Sequence, residues 1–180
     1  MRVIAGKYGG RKLVSFKADH IRPTTDRVKE TIFNKLQFDI EESDILDLFS
    51  GTGSLAIESL SRGASFVQAV ESSGKSVSII NSNKKLLGIG EELKVTNLDV
   101  FKYLKKCDRA FDIILVDPPF TKKIAHEALI AIDQSEAIKP GTEIFIESTS
   151  QEKVEEVYEK IKRKSHKSYG DKFLSQYICG

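Results

Sequence analysis

Short apolar runs alternate with stretches of helical repeat along this chain, and the sharpest junction between the two lies at Asp44 to Glu58. Ile45, Leu46, Leu48 and Phe49 form an apolar run broken only by Asp47, the composition of a central parallel strand covered on both faces. Gly51 and Gly53 then permit a sharp turn. Ser54 to Arg62 continues as a helix with Leu55, Ala56, Ser59 and Leu60 inward, stopped by Gly63. The same unit repeats downstream. Phe66 to Val70 reads as a second strand ending at Glu71, and Ser73 caps a helix bearing Val77, Ile80 and Leu87 that ends at Gly88. A third strand, Leu93 to Asn97, leads through Asp99 into a short helix with Val100, Phe101 and Leu104. The fourth strand, Phe111 to Val116, stops at Asp117-Pro-Pro-Phe120. A helix with Ala125, Ala128, Leu129 and Ile132, the turn Lys139-Pro-Gly141 and the strand Glu143 to Ile146 follow. Val154, Val157, Tyr158 and Ile161 mark a last helix, and segments 163–169 and 172–179 flank Gly170-Asp171 as a hairpin.

Upstream of Asp44 the pattern differs. Residues 1–17 mix Gly6, Gly9 and Gly10 with basic residues and the apolar pairs Val3-Ile4 and Leu13-Val14, which predicts a short basic hairpin. Pro23 disfavours helix at Arg22, and Thr24, Thr25 or Asp26 can cap a helix running to about Leu36, with Val28, Ile32 and Leu36 at intervals of four. Repeated strand-helix units imply an α/β fold: a mostly parallel sheet with helices on both faces, joined by right-handed crossovers. One domain over residues 1–180 is expected, with 1–40 as a small N-terminal basic extension of hairpin and helix and 41–180 as the core.

Ligands of such sheets bind beyond the carboxyl ends of the strands. Gly51 and Gly53, Glu71, Asp99 and Asp117 all fall there, at the ends of four successive strands. A glycine turn at a helix start exposes amides to an anionic or nucleotide-type ligand, and an acid twenty residues on can accept both hydroxyls of a ribose. The third glycine of the dinucleotide fingerprint is replaced by Ala56, so the turn alone does not name the ligand. Pro118 and Pro119 remove two N-H donors and leave outward carbonyls beside the Asp117 carboxylate. That pair of acceptors suits a group donating two hydrogen bonds, such as a nucleobase amine, with Phe120 as a stacking face.

Composition narrows the field. With 180 residues, 40% apolar and 30% charged, the chain can bury a full core. No apolar run is long enough for a membrane span or a signal peptide, so a soluble cytoplasmic protein is expected. Cys107 and Cys179 lack metal spacing, as do the scattered His20, His126 and His166; no metal is assigned. The net charge of +2 hides an asymmetry: residues 1–30 carry eight Lys/Arg against three Asp/Glu, and residues 160–180 carry six against one. Two basic ends flanking an acidic middle point to a polyanionic partner.

Taken together, Arg2-Val-Ile-Ala-Gly-Lys-Tyr-Gly-Gly-Arg-Lys-Leu13, Arg22-Pro-Thr-Thr-Asp-Arg-Val-Lys-Glu30, Leu46-Asp-Leu-Phe-Ser-Gly-Thr-Gly-Ser-Leu55, Leu60-Ser-Arg-Gly-Ala64 and Asp117-Pro-Pro-Phe120 resemble the class I S-adenosylmethionine-dependent methyltransferases. More narrowly, they resemble the bacterial 16S rRNA guanine-N2 methyltransferase family (the RsmD family). Tyr8 stands where relatives often carry tryptophan. The resemblance implies a Rossmann-like class I methyltransferase fold, with S-adenosyl-L-methionine as methyl donor and S-adenosyl-L-homocysteine as product. It further implies that Asp47, Phe49, Ser50, Gly51, Thr52 and Gly53 cradle the methionine part of the cofactor, that Glu71 holds the ribose and Asp99 the adenine amine, and that Ser72 and Val100 also bind the cofactor. Asp117, Pro118, Pro119 and Phe120 would form the catalytic tetrad. Arg2, Lys7, Arg11, Lys12, Arg22 and Arg27, with the region from Lys160 to Lys172, would grip RNA phosphates, although Arg22 could instead meet the cofactor carboxylate. The implied partner is 16S rRNA, within a small-subunit particle, met by a monomer. Alternatives left open are an adenine-N6 or cytosine-N4 DNA methyltransferase sharing the Asp-Pro-Pro logic, a nicotinamide-dependent oxidoreductase using the turn and Glu71, and a non-catalytic RNA-binding module.

Overall fold

The computed structural model describes residues 1–15, 26–119 and 124–180. The predicted caps at Thr24 and Thr25 and the roles given to Arg22 and Phe120 therefore lie outside the described residues, as does the side chain of Arg27. Seven strands form one sheet: β1 (Asp44–Leu48), β2 (Phe66–Glu71), β3 (Leu93–Asn97), β4 (Ile113–Val116), β5 (Glu143–Thr149), β6 (Ile161–Tyr169) and β7 (Lys172–Cys179). Their spatial order is β3-β2-β1-β4-β5-β7-β6. The first five pair in parallel, and β7 joins β5 and β6 antiparallel. This is the Rossmann-like class I methyltransferase architecture with its C-terminal hairpin.

Helices cover both faces because both faces of the strands are apolar. On one side lie α1 (Asp26–Lys35), α2 (Ser54–Ser61) and α3 (Gly74–Leu87), packing Ile32, Phe33, Ala56, Ile57 and Ile80 against Ile45, Val67, Leu115 and Phe145. On the other, α4 (Val100–Leu104) and α5 (Ala125–Asp133) bring Val100, Leu104, Leu129 and Ile132 onto Leu46, Leu48, Ile114 and Ile146. Local signals set the helix limits. The Ser73 side chain accepts from the amide of Ser76, and Gly88 closes α3 in the left-handed region. Asp99 likewise accepts from the amide of Lys102 to start α4.

The N-terminal segment is stitched into the core. A single antiparallel bridge joins Arg2 and Lys12, and Val3, Tyr8 and Leu13 pack in the same cluster as α1 and α2. Gly6 lies so close to α2 that an added Cβ would sit 1.7 Å from the carbonyl oxygen of Ser61, and its φ of +80° already lies in the left-handed region.

The helix predicted from Val154, Val157, Tyr158 and Ile161 does not form. That stretch is an irregular connection with a bridge between Val157 and Lys162, and Ile161 opens β6. Two interactions outweigh the helical spacing. The buried Asp133 carboxylate accepts from the amides of Glu159, Lys160 and Ile161, which a continuing helix would have used internally. Pairing with β7 then draws residues from Ile161 onward into the sheet. Val154 and Tyr158 pack on the core from the loop, while Val157 is exposed.

Candidate active site

β1 delivers the central turn. Phe49, directly after the strand, has φ of 58°, rare for a bulky non-glycine residue, and Gly51 and Gly53 follow at 56° and 79°. Left-handed positions at every second residue fold 49–53 back toward α2. The amide of Ser50 donates to the carbonyl of Val70, 3.1 Å, and that of Gly53 to the carbonyl of Ser50, 2.8 Å. A Cβ on Gly53 would press to 3.2 Å on Ile80 of α3. The glycine therefore also permits the helix to close on the turn.

Two carboxylates brace this loop. Asp47 is buried within β1; its Oδ2 accepts from the Ser50 hydroxyl at 2.5 Å and the Ala56 amide at 3.1 Å. Its Oδ1 is buried with no hydrogen-bond partner among the described residues. Burial, opposed by the Ser50 hydrogen bond and reinforced by the charges of Asp117 and Glu71, pushes the Asp47 carboxyl up to about 7. Glu71, at the tip of β2, accepts from the amide of Gly51 at 2.9 Å and from that of Ser73 at 2.7 Å. The amide of Gly51 is thus aimed at Glu71, whereas the sequence suggested that the turn offers its amides to a ligand. A carboxylate has about four acceptor sites, so Glu71 keeps capacity for further donors beyond these two amides.

The other predicted residues take their places along the same edge. Ser72 is exposed, with its carbonyl held by the side chain of Asn97. Asp99 is exposed at the start of α4, while the side chain of Val100 is buried in the core and leaves only its backbone for a ligand. Phe49 meets Phe101 edge-on, ring centroids 6.4 Å apart. Thr52 is held through its carbonyl by Asn83, a buried side chain that also bonds the carbonyl of Val14 at 3.0 Å. Asp117 follows β4, whose register with β1 pairs Leu48 with Val116. Its amide approaches the Leu48 carbonyl at 3.5 Å, so Asp117 and the glycine turn are direct neighbours. Pro118 is buried and Pro119 exposed.

Arg2, Lys7, Arg11 and Lys12 are all exposed, with the Lys7 ammonium 5.2 Å from the Tyr8 ring centroid. At the other end Lys160, Lys162, Lys164 and Lys167 are exposed, but Lys172 is not. It is buried and bonds Glu147 of β5 at 3.0 Å, which removes it from the predicted phosphate-gripping set. Among the buried charged residues that the sequence reading missed are the acids Glu147 and Glu58. The only signal available was a lone acid inside an apolar run, Leu55-Ala-Ile-Glu-Ser-Leu60 and Ile144-Phe-Ile-Glu147.

The high proton affinity of Asp47 has a consequence for stability. An unfolded Asp titrates near 3.8, so between that value and about 7 the native state binds the proton more tightly than the unfolded chain. The resulting stabilisation is full below the lower value and is lost as pH rises through the upper one. The stability of Asp47→Asn, read by urea unfolding, should therefore fall off less steeply between pH 4 and pH 7.5 than that of the parent, the difference reaching roughly 2–4 kcal/mol across that interval. Parallel curves would refute the placement.

Comparison with known proteins yields a consistent set. Residues 1–178 match the model of a family described as Conserved hypothetical protein 95. The chain is 36% identical over 151 residues to ribosomal RNA small subunit methyltransferase D of Haemophilus influenzae, spanning 82% of this chain and 78% of that protein. It is 32% identical over 178 residues to the Buchnera aphidicola protein of the same name, spanning 98% and 90%. Among solved structures it is similar to yhhF of Escherichia coli, described as a candidate methyltransferase, with a TM-score of 0.88, 29% identity and coverage of 99% and 97%.

Proposed function

The chain belongs to the family of Conserved hypothetical protein 95, and from that membership and the geometry of the cleft we propose that it methylates the exocyclic N2 amine of a guanine in 16S rRNA. The observation that carries this reading is the juxtaposition of the β1 glycine turn with Asp117-Pro118-Pro119 at one sheet edge. The names of the Haemophilus influenzae and Buchnera aphidicola relatives support the substrate. The protein is proposed to act as a monomer on a small-subunit particle in the cytoplasm. Among the described residues, no helix is long and apolar enough to cross a membrane.

The turn fits S-adenosylmethionine. Asp47 Oδ1 is a buried acceptor with no partner among the described residues, suited to an ammonium group, and a Cβ built on Gly51 would approach no atom closer than 3.9 Å, so that side is open. Residues 47–53 would hold the methionine part, Glu71 and Ser72 the ribose, and Asp99 with the Val100 backbone the adenine. When bound, the cofactor supplies a methyl group on a sulfonium sulfur, which is left as a thioether once the amine has taken the methyl.

The chain's own contribution is alignment and charge. A guanine amine is a poor nucleophile because its lone pair is delocalised into the ring. The Asp117 carboxylate and the Pro118 carbonyl accept its two hydrogens and favour the geometry in which the pair is localised. As the nitrogen becomes cationic, Asp117 stabilises it and then accepts the proton, a gain that exists only as the reaction proceeds. The base must be unpaired or flipped from its stack to reach this point. Exposed Arg2, Lys7, Arg11 and Lys12, together with Arg22, Arg27 and the β6 lysines, would grip the surrounding phosphates.

Incubation with small ribosomal subunits from a strain lacking the protein, followed by mass analysis of nucleosides, should yield N2-methylguanosine. Recovery of N6-methyladenosine or N4-methylcytosine instead, or no methyl incorporation into any RNA, would reject the assignment.

A further inference from the structure

A buried ion pair that the reaction outlined above does not use lies beside Asp117. Glu147 of β5 accepts from the ammonium of Lys172 of β7 at 3.0 Å, with side-chain exposures of 2% and 8%. The β4–β5 register pairs Val116 with Ile146, which sets the next residues, Asp117 and Glu147, side by side at the ends of adjacent strands. Strand alternation places them on the sheet face that carries Leu115 and Phe145, the face onto which α1 and α2 pack. Glu147 Oε1 is buried with no hydrogen-bond partner among the described residues. One carboxylate oxygen is thus anchored by a cation while the other is left without a donor, next to a second carboxylate. As a permanent anion such a group is poorly accommodated; as one that takes up a proton it is well placed.

We propose that Glu147, braced by Lys172, shares a proton with Asp117, and that this carboxyl pair is where the proton leaving the methylated amine comes to rest. The proposal rests on the methyl transfer described above. As the nitrogen-methyl bond forms and the sulfur-methyl bond breaks, the electron pair of the broken bond stays on sulfur and the nitrogen carries one proton too many. Asp117 takes that proton, and sharing with Glu147 lowers by one the negative charge that the two carboxylates carry side by side. Glu147 does not touch the base. It is a positioning residue that sets how readily Asp117 receives and releases the proton.

The surroundings agree. Burial first, then the charge of Asp117, pushes the Glu147 carboxyl up to about 7 against the pull of Lys172. Asp47 from β1 lies within range of Asp117, with Glu71 from β2 beyond it. From α1, which packs over this face, Lys35 is engaged by Ser165 and Gln176, and Thr31 meets Tyr169 of β6. Glu143, at the far end of β5, is paired with Lys164.

Two measurements test the pair. In cofactor-free protein, carboxyl-carbon NMR should show Glu147 titrating near 7, and Asp117→Asn should lower that midpoint by about one pH unit, because a like charge has gone while Glu147 and Lys172 are untouched. In single-turnover methylation of RNA, Glu147→Gln should move the acidic limb of the rate profile to lower pH and Lys172→Met to higher pH, each by about one pH unit. A purely structural ion pair would slow or destabilise both variants without displacing the limb in opposite directions. If the single variants fold poorly, the Asp117→Asn titration still decides, since it leaves the ion pair intact. Uncoupled titration in an active enzyme overturns the pair alone. Coupled titration in a protein that methylates no amine overturns the functional reading and removes the proton's source.

Discussion

Replacing Asp117 with alanine should lower methyl transfer by at least about 100-fold while leaving uptake of S-adenosylmethionine within a few-fold of the parent. The expected split follows from position. Asp117 follows β4 beside the glycine turn, yet the backbone hydrogen bonds that shape the turn come from Val70, Ser50, Asp47 and Glu71. Removing the carboxylate deletes an acceptor and a negative charge whose value is greatest once the amine nitrogen has become cationic, which is the condition for an effect on rate. Asp117→Asn keeps an acceptor oxygen without the charge and should fall between the two. Calorimetry with the cofactor and single-turnover rates on RNA read the two quantities separately. A fully active Asp117→Ala enzyme would leave an RNA-binding module as the better description.

A second large effect is expected at Glu58, now on stability. This side chain is fully buried in α2 and accepts from the amides of Ile4 at 2.8 Å and Ala5 at 3.1 Å, from Arg62 at 2.8 Å and from Lys29 at 3.2 Å. Lys29 is itself buried and also donates to the Arg2 carbonyl and the Ser54 hydroxyl. Glu58→Ala leaves that ammonium uncompensated in the core and strips two amides of their acceptor, a loss of roughly 3–5 kcal/mol. Glu58→Leu combined with Lys29→Met removes both charges and should recover a good part of it. Urea unfolding gives the magnitude, and limited proteolysis near residues 1–13 should report release of the N-terminal segment. A loss below about 1 kcal/mol would mean that the segment is held by its apolar contacts alone.

Much of this arrangement was legible in the sequence because the signals are local. Ser73, Gly88 and Asp99 act on their own helices, the apolar runs of β1 and β4 are self-evident, and a parallel sheet sends their following loops to one edge. What was not legible depends on residues distant in the chain. The fate of 154–161 was decided by Asp133, whose carboxylate reaches three amides more than twenty residues downstream. Lys172 read as one more surface cation among basic neighbours because nothing near it announces Glu147, and Lys29 with Glu58 escaped for the same reason. Only strand order and helix packing bring such partners together.

The first helix also meets the last hairpin. Lys35 donates to Gln176 at 3.1 Å, and the Tyr169 hydroxyl donates to Thr31 at 3.1 Å, across 141 and 138 residues of chain. During synthesis, α1 thus emerges early, and its Thr31 and Lys35 must wait for β6 and β7 before they meet these partners. Contacts this distant slow the final folding step, so the nascent polypeptide passes through a stage in which its amino-terminal helix rests on the central strands without its hydrogen bonds to the closing hairpin.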